Sequence, residues 1–112
     1  MSYNIILTSR FKKEAKRLSK RYPSLKKELS ELTQSLIENP TQGTQLGNNT
    51  FKIRLAIKSK GKGKSGGSRI ISYVLIDHHE IYLLSIYDKS EISTINDKTL
   101  KLLVAEINLA RK

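Results

Sequence analysis

The stretch from Phe51 to Ile76, FKIRLAIKSKGKGKSGGSRIISYVLI, holds seven of the 21 basic residues and no acid. It reads as two β-strands joined by a glycine- and lysine-rich loop. In the first strand Phe51, Ile53, Leu55 and Ile57 alternate with Lys52, Arg54, Ala56 and Lys58. A period of two sends the apolar set into a core and the cations outward. The second strand starts at Arg69, passes Tyr73 and is otherwise mostly apolar, as a central strand covered on both faces should be. One sheet face then presents a row of positive charge beside a basic loop, a surface suited to polyanions.

A chain of 112 residues is one domain by length, residues 1–112, with room for a single core. Its formal net charge of +11 makes phosphate-bearing or acidic partners the default and predicts salt-sensitive association. The charge is uneven. Residues 1–40 carry nine bases against four acids, residues 51–76 seven against none, and residues 77–112 five against six. With no cysteine, disulfides, thiolate metal sites and a cysteine nucleophile are excluded. No apolar run is long enough to span a bilayer or to serve as a leader, so the expectation is a soluble, cytoplasmic protein without a membrane partner.

In chain order, Tyr3 to Leu7 reads as a short strand, followed by Thr8 and Ser9 as helix N-caps. Phe11, Ala15, Leu18 and Tyr22 keep helical spacing among seven cations until Pro23. That basic helix is either a solvated surface helix or a contact surface for nucleic acid or an acidic partner. Ser24 is placed to cap a second helix with Leu25, Leu29, Leu32 and Leu36 on one stripe, closed by Asn39-Pro40, and the short joint makes the two helices an antiparallel hairpin. Thr41 to Thr50 reads as a loop. After the central pair, Asp77 to Glu80 forms a hairpin turn, Ile81 to Tyr87 is another strand, and a last helix runs from about Thr94 on Leu100, Leu103, Val104 and Ile107. The expected order is β-α-α-β-β-β-α: an α+β domain with a twisted antiparallel sheet, the helical hairpin on one face and a C-terminal helix.

Gly61 to Gly67 contains a G-K-S triplet, but a phosphate-binding loop must lead into a helix N-terminus, and here a strand follows. Nucleotide hydrolysis is therefore not expected. Lys58, Lys60, Lys62 and Lys64 either hold a nucleic-acid backbone or merely decorate a hairpin linker. The more informative set is Lys52, Arg54, Arg69, Tyr87, Lys89 and Glu91, which alternation lets converge at one end of the sheet. Cleaving RNA through its own 2′-hydroxyl needs a base for that oxygen, cations for the pentavalent phosphate and an acid for the leaving 5′-oxygen. Arginine and lysine supply the cations, and either a lysine with a depressed pKa or Glu91 supplies the base. His78 and His79 fall in a turn without an orienting partner. Tyr73 and Tyr87 either stack on an unstacked base or pack in the core.

The order of elements, FKIRLAI followed by G-S-R-I-I-S-Y-V, and the late L-L-S-I-Y-D-K-S-E resemble the RelE/ParE superfamily of bacterial toxins, in its RelE/HigB-like branch. The resemblance covers nearly the whole chain. It implies a small ribonuclease of a type II toxin–antitoxin system, needing no metal or cofactor, that enters the ribosomal A site, cuts messenger RNA and arrests translation until an acidic or DNA-binding antitoxin neutralises it. The family's basic strand pair falls on Lys52 and Arg54, its next arginine on Arg69, and its late cation on Lys89, where RelE itself has arginine. RelE's stacking tyrosine has no counterpart between Ile92 and Ile95, which leaves Tyr87 to stand in. Two other readings are a ParE-like inhibitor of DNA gyrase and a non-catalytic nucleic-acid-binding module.

Overall fold

Thr8 is where the chain changes from strand to helix. In the computed structural model, which describes residues 3–61, 67–92 and 94–111, β1 (Asn4–Leu7) leads through Thr8 into α1 (Ser9–Arg21). The Thr8 hydroxyl accepts the Phe11 N–H and donates to the Leu83 carbonyl at 2.9 Å, so one side chain caps the helix and pins its start to the sheet. α2 (Leu25–Glu38) follows after Pro23. The expected Ser24 cap is absent: Ser24 has helical backbone angles and makes no capping bond. Its hydroxyl donates instead to Glu28, one turn on, and accepts from the Ser59 N–H. The side chain that would have capped the helix thus ties it to the root of the basic loop.

The remaining strands are β2 (Thr44–Gly47), β3 (Thr50–Leu55), β4 (Ser68–Leu75) and β5 (Glu80–Asp88), and the chain ends in α3 (Asp97–Ala110). The last helix starts three residues later than expected because Asn96 is its cap, accepting from the Thr99 N–H at 2.8 Å. β2 lies in the stretch expected to be loop. Asn48 and Asn49 both have positive φ, 51° and 61°, the backbone of a two-residue type I′ turn, and asparagine tolerates that region better than other non-glycine residues. The strand order is β1-β5-β4-β3-β2. β3, β4 and β5 pair antiparallel, as expected, β2 adds a further antiparallel strand, and β1 runs parallel to β5 at the edge, which makes the sheet mixed rather than wholly antiparallel. Between β1 and β5 the chain passes through α1, α2 and the three other strands, ample length for the crossover that a parallel pair requires.

Both faces of the central strand are covered. Phe11, Leu18, Leu25 and Leu36 from the helical hairpin pack on Ile53, Ile70, Val74, Ile81 and Ile86. On the opposite face Leu100 and Ile107 of α3 pack on Ile71, Tyr73, Leu84 and Tyr87. β5 serves both faces through a bulge: Ile71 pairs with Ser85 and Ser72 with Leu83, so Leu84 has no partner in β4. The extra residue shifts the alternation, and the strand beyond it presents Tyr87 to the α3 side and Asp88 to the α1–α2 side. Where β3 approaches the start of β4, a Cβ on Gly67 would lie 2.4 Å from the Leu55 carbonyl oxygen. Only glycine fits that approach.

Candidate functional site

The antiparallel register sets Arg54 opposite Arg69 and Arg69 opposite Tyr87. The three therefore form one row across β3, β4 and β5, on the α3 side of the sheet. Two residues along β3, on the same side, Lys52 pairs with Ile71, which pairs with Ser85. The Lys52 ammonium donates to Thr94 Oγ1 at 3.0 Å, so the segment before α3 closes over the end of the row. Arg54 is exposed, Lys52 half-buried, and Arg69 only 3% exposed. Arg69 Nη1 donates to the Ser68 carbonyl at 3.1 Å. Lys89 follows immediately beyond β5 with an exposed side chain, and its N–H bonds the Gly67 carbonyl.

Two guanidinium groups directly opposite each other in a sheet repel, at a cost of about 0.2–1 kcal/mol for such pairs. An anion placed between or above them removes that cost. Tyr87 is 3% exposed, and its hydroxyl is buried with no hydrogen-bond partner among the described residues. Beside it lies a pocket of about 170 Å³ between α1 and residues 92–99, lined by Arg10, Glu14, Ser85 and Thr94 among others. Glu14 there accepts from Ser85 Oγ and the Ile86 N–H, taking over the edge of β5 where β1 has ended.

Not every expected residue joins this row. Glu91 turns to α1, where its carboxylate holds Arg17 at 3.1 Å and Arg21 at 3.3 Å; among the described residues it makes no hydrogen bond or ion pair with Lys52, Arg54 or Lys89. Tyr73 is packed under α3, with its hydroxyl donating to Asn108, so it offers no face to a base. Lys60 points inward rather than to solvent. It pairs with Asp88 on the α1–α2 side of the sheet, its side chain 10% exposed, over the Tyr22 ring. Lys58 keeps an exposed side chain, while its N–H is held by Glu28 at 2.7 Å. Lys62 and Lys64 lie outside the described residues. His78 and His79 sit in the turn before β5, and the His79 ring lies against Tyr3.

Asp88 is the residue that sequence reasoning passed over. It is fully buried and accepts from Tyr22 Oη at 2.7 Å, from the Ser90 N–H and hydroxyl, and from Lys60. Burial alone opposes its charge and is the largest single influence, yet the donors from Lys60, Tyr22 and Ser90 together outweigh it and hold the carboxyl far below the usual carboxylate range. The bond it accepts from Tyr22 in turn raises that phenol's pKa. Its only signal in the sequence was an acid that breaks the apolar run at the end of a strand.

The fold has solved counterparts. A mutant of the Escherichia coli toxin RelE in its free state superposes with a TM-score of 0.60 over 83% of this chain and 90% of that one, at 17% identity. The fold is RelE-like. The isolated E. coli RelE toxin gives a TM-score of 0.53 at 21% identity over 94% of this chain and 98% of that one. The RelBE2 toxin–antitoxin complex from Mycobacterium tuberculosis gives 0.56 at 15% identity, over 79% and 99%. No family model matches the sequence. In this RelE-like chain no described helix is long and apolar enough to cross a membrane, and no group of three or more metal-ligating side chains occurs among the described residues.

Proposed function

We propose that the chain is the toxin of a type II toxin–antitoxin system and cuts messenger RNA on the ribosome. The observation that carries this reading is the row Arg54–Arg69–Tyr87, with Lys52 beside it and Lys89 at its end. The likeness to RelE supports it at the level of fold. In this reading the scissile phosphate sits over Arg54 and Arg69, whose guanidinium groups stabilise the charge that grows on the pentavalent phosphorus. Lys89 adds an exposed cation just beyond β5, and Tyr87 borders the seat of a flanking base. Because Glu91 is engaged with Arg17 and Arg21, Lys52, as the neutral amine, is the candidate base left to accept the 2′-hydroxyl proton while that oxygen bonds to phosphorus and the bond to the 5′-oxygen breaks, the 5′-oxygen taking up a proton as it leaves. An antitoxin is the expected partner, since the RelE-like neighbours include toxin–antitoxin complexes.

Purified protein is to be added to translating ribosomes and to free message, and the cuts mapped by primer extension. Cuts confined to ribosome-bound message support the proposal; intact message in both samples overturns it. Inhibition of gyrase supercoiling with intact message would favour the ParE-like alternative. The role of Lys52 has a separate test. Lys52→Arg keeps the charge and cannot release a proton near neutral pH, so ribosome binding persists while the cleavage rate falls about 100-fold or more, within the range for loss of a general base. Cleavage by Lys52→Arg at the wild-type rate assigns the base to another group.

A further inference from the structure

The pocket beside Tyr87, about 170 Å³ in volume, is joined to the arginine row at two points. Tyr87 belongs to both, and Thr94, which also lines the pocket, accepts a hydrogen bond from Lys52, the candidate base. The volume suits one six-membered ring, since an apolar cavity of about 150 Å³ holds a benzene molecule. Ile92 and Ile95 give the lining its apolar part, and Glu14 gives it a directed acceptor. Glu14 Oε1 accepts from Ser85 Oγ at 2.8 Å and from the Ile86 N–H at 3.3 Å, which fills both acceptor sites of that oxygen. Oε2 has a single contact among the described residues, 3.5 Å from Arg10 Nε, so it keeps a lone pair for a ligand that brings a donor. The Glu14 side chain is 24% exposed, enough for that ligand to reach it.

We propose that this pocket seats a cytosine of the message, the base of the nucleotide whose 2′-hydroxyl attacks, and that cuts therefore follow C. Single-stranded message is read by its unstacked bases on their Watson–Crick edges. On that edge cytosine carries an exocyclic amine, which donates to Glu14 Oε2, as carboxylates accept from the same amine in other base contacts. Uracil places a carbonyl oxygen there and would set acceptor against acceptor. A purine adds a second ring to a space sized for one. Tyr87 offers the complementary donor: its hydroxyl is buried without a hydrogen-bond partner among the described residues, and the ring nitrogen and carbonyl of cytosine are acceptors. The Lys52 bond to Thr94 puts the pocket on the side of the attacking sugar. The proposal rests on the RNA-cutting reading for its ligand and adds to it which base is read, and by which side chain.

The probe is a set of fluorescein-labelled RNA oligomers that differ only at one central nucleotide, C, U, A or G, whose 2′-hydroxyl is replaced by hydrogen so that it cannot be cut. Fluorescence anisotropy is measured with the wild-type protein and with Glu14→Gln. That substitution keeps the carbonyl that accepts from Ser85 and Ile86 and puts an N–H donor in the place of Oε2. Circular dichroism melts establish that the variant is folded. The proposal expects the C oligomer to bind about tenfold tighter than the U oligomer and tighter than either purine, and Glu14→Gln to abolish or reverse the preference between C and U. Cuts on translating ribosomes, in messages that vary the base before the cut, should follow the same order. Equal affinity for the oligomers, binding of none of them, a preference for a purine, a C preference that survives Glu14→Gln, or cuts in a different order of bases overturns it. The two readings fail separately. If message stays intact while the oligomer pattern holds, the nuclease reading fails and the pocket stands. If message is cut without regard to that base and the oligomers bind alike, the nuclease stands and the pocket fails.

Discussion

An Arg54→Ala/Arg69→Ala double variant induced in bacteria should let growth and bulk protein synthesis continue, where the wild-type chain is expected to stop both. The size of the effect follows from what the two side chains are asked to do. Removing one preorganised donor to a developing oxyanion costs about 10²–10³-fold in rate. Loss of both guanidinium groups should therefore lower ribosome-dependent cleavage by about 10³-fold or more, even where the two act as a unit and their effects do not multiply. Primer extension on a reporter message from the same cells checks it: new cuts with the wild type, none with the double variant. Arrest without cuts would move the search to another target, and arrest that survives the double substitution would remove the row from the mechanism. The Arg54→Ala single variant separates function from fold. Arg54 is exposed and faces a like charge across the strand pair, so its loss should leave the melting temperature unchanged or slightly higher while activity falls.

Asp88→Ala should be the most destabilising single substitution outside the apolar core. Lys60 would then keep a charge in a nearly dry site with no counter-charge, and breaking a buried pair in this way costs about 3–5 kcal/mol, a fall of about 10–20 °C in melting temperature for a domain of this size. Asp88→Ala/Lys60→Met removes both charges and should recover most of that loss, because well-packed apolar replacements of buried ion pairs are often neutral. Thermal melts of the wild type, the two single variants and the double variant close the cycle; a double variant as unstable as Asp88→Ala would show that Tyr22 and Ser90, not Lys60, carry the effect. The pH dependence has a definite sign. The folded state holds the Asp88 carboxyl below its unfolded value, which is about 3.9. Its stabilisation is full above that value and drains away as the pH falls from about 5 towards the folded value. The double variant should lose less stability than the wild type over that interval.

Much of this architecture was legible because its parts obey simple periods. Phe51 and Ile53 against Lys52 and Arg54 gave β3 both its faces, and Phe11, Leu18, Leu25 and Leu36 gave the helical hairpin its buried stripe. The row itself was half legible. Alternation put Lys52 and Arg54 together, but only the register brings Arg69 between Arg54 and Tyr87. The remaining placements share one physical origin. Lys60 was read with the loop lysines, Tyr73 as either a stacking or a core residue and Glu91 as a candidate base, and each is held by a group distant in sequence: Asp88, Asn108 and the α1 arginines. No local pattern encodes such partners. β2 was missed for a different reason. Thr44–Gly47 is uncharged and exposed along its length, so it has no alternation to detect, and its one cue was the Asn-Asn pair read as loop.

The unpaired Leu84 decides which side of the sheet the end of β5 presents. If the strand kept all its residues but ran without the bulge, its earlier half still in register with β4, Leu84 would pair with Ile71 and Arg69 would face Ile86 instead of Tyr87. Tyr87 would then turn to the α1–α2 side and Asp88 to the side of Arg54 and Arg69, and Lys60 would lose its counter-charge in the same step. Every cation of the row would still be encoded, yet a carboxylate would share its face. The bulge keeps acid and arginines on opposite sides of one sheet.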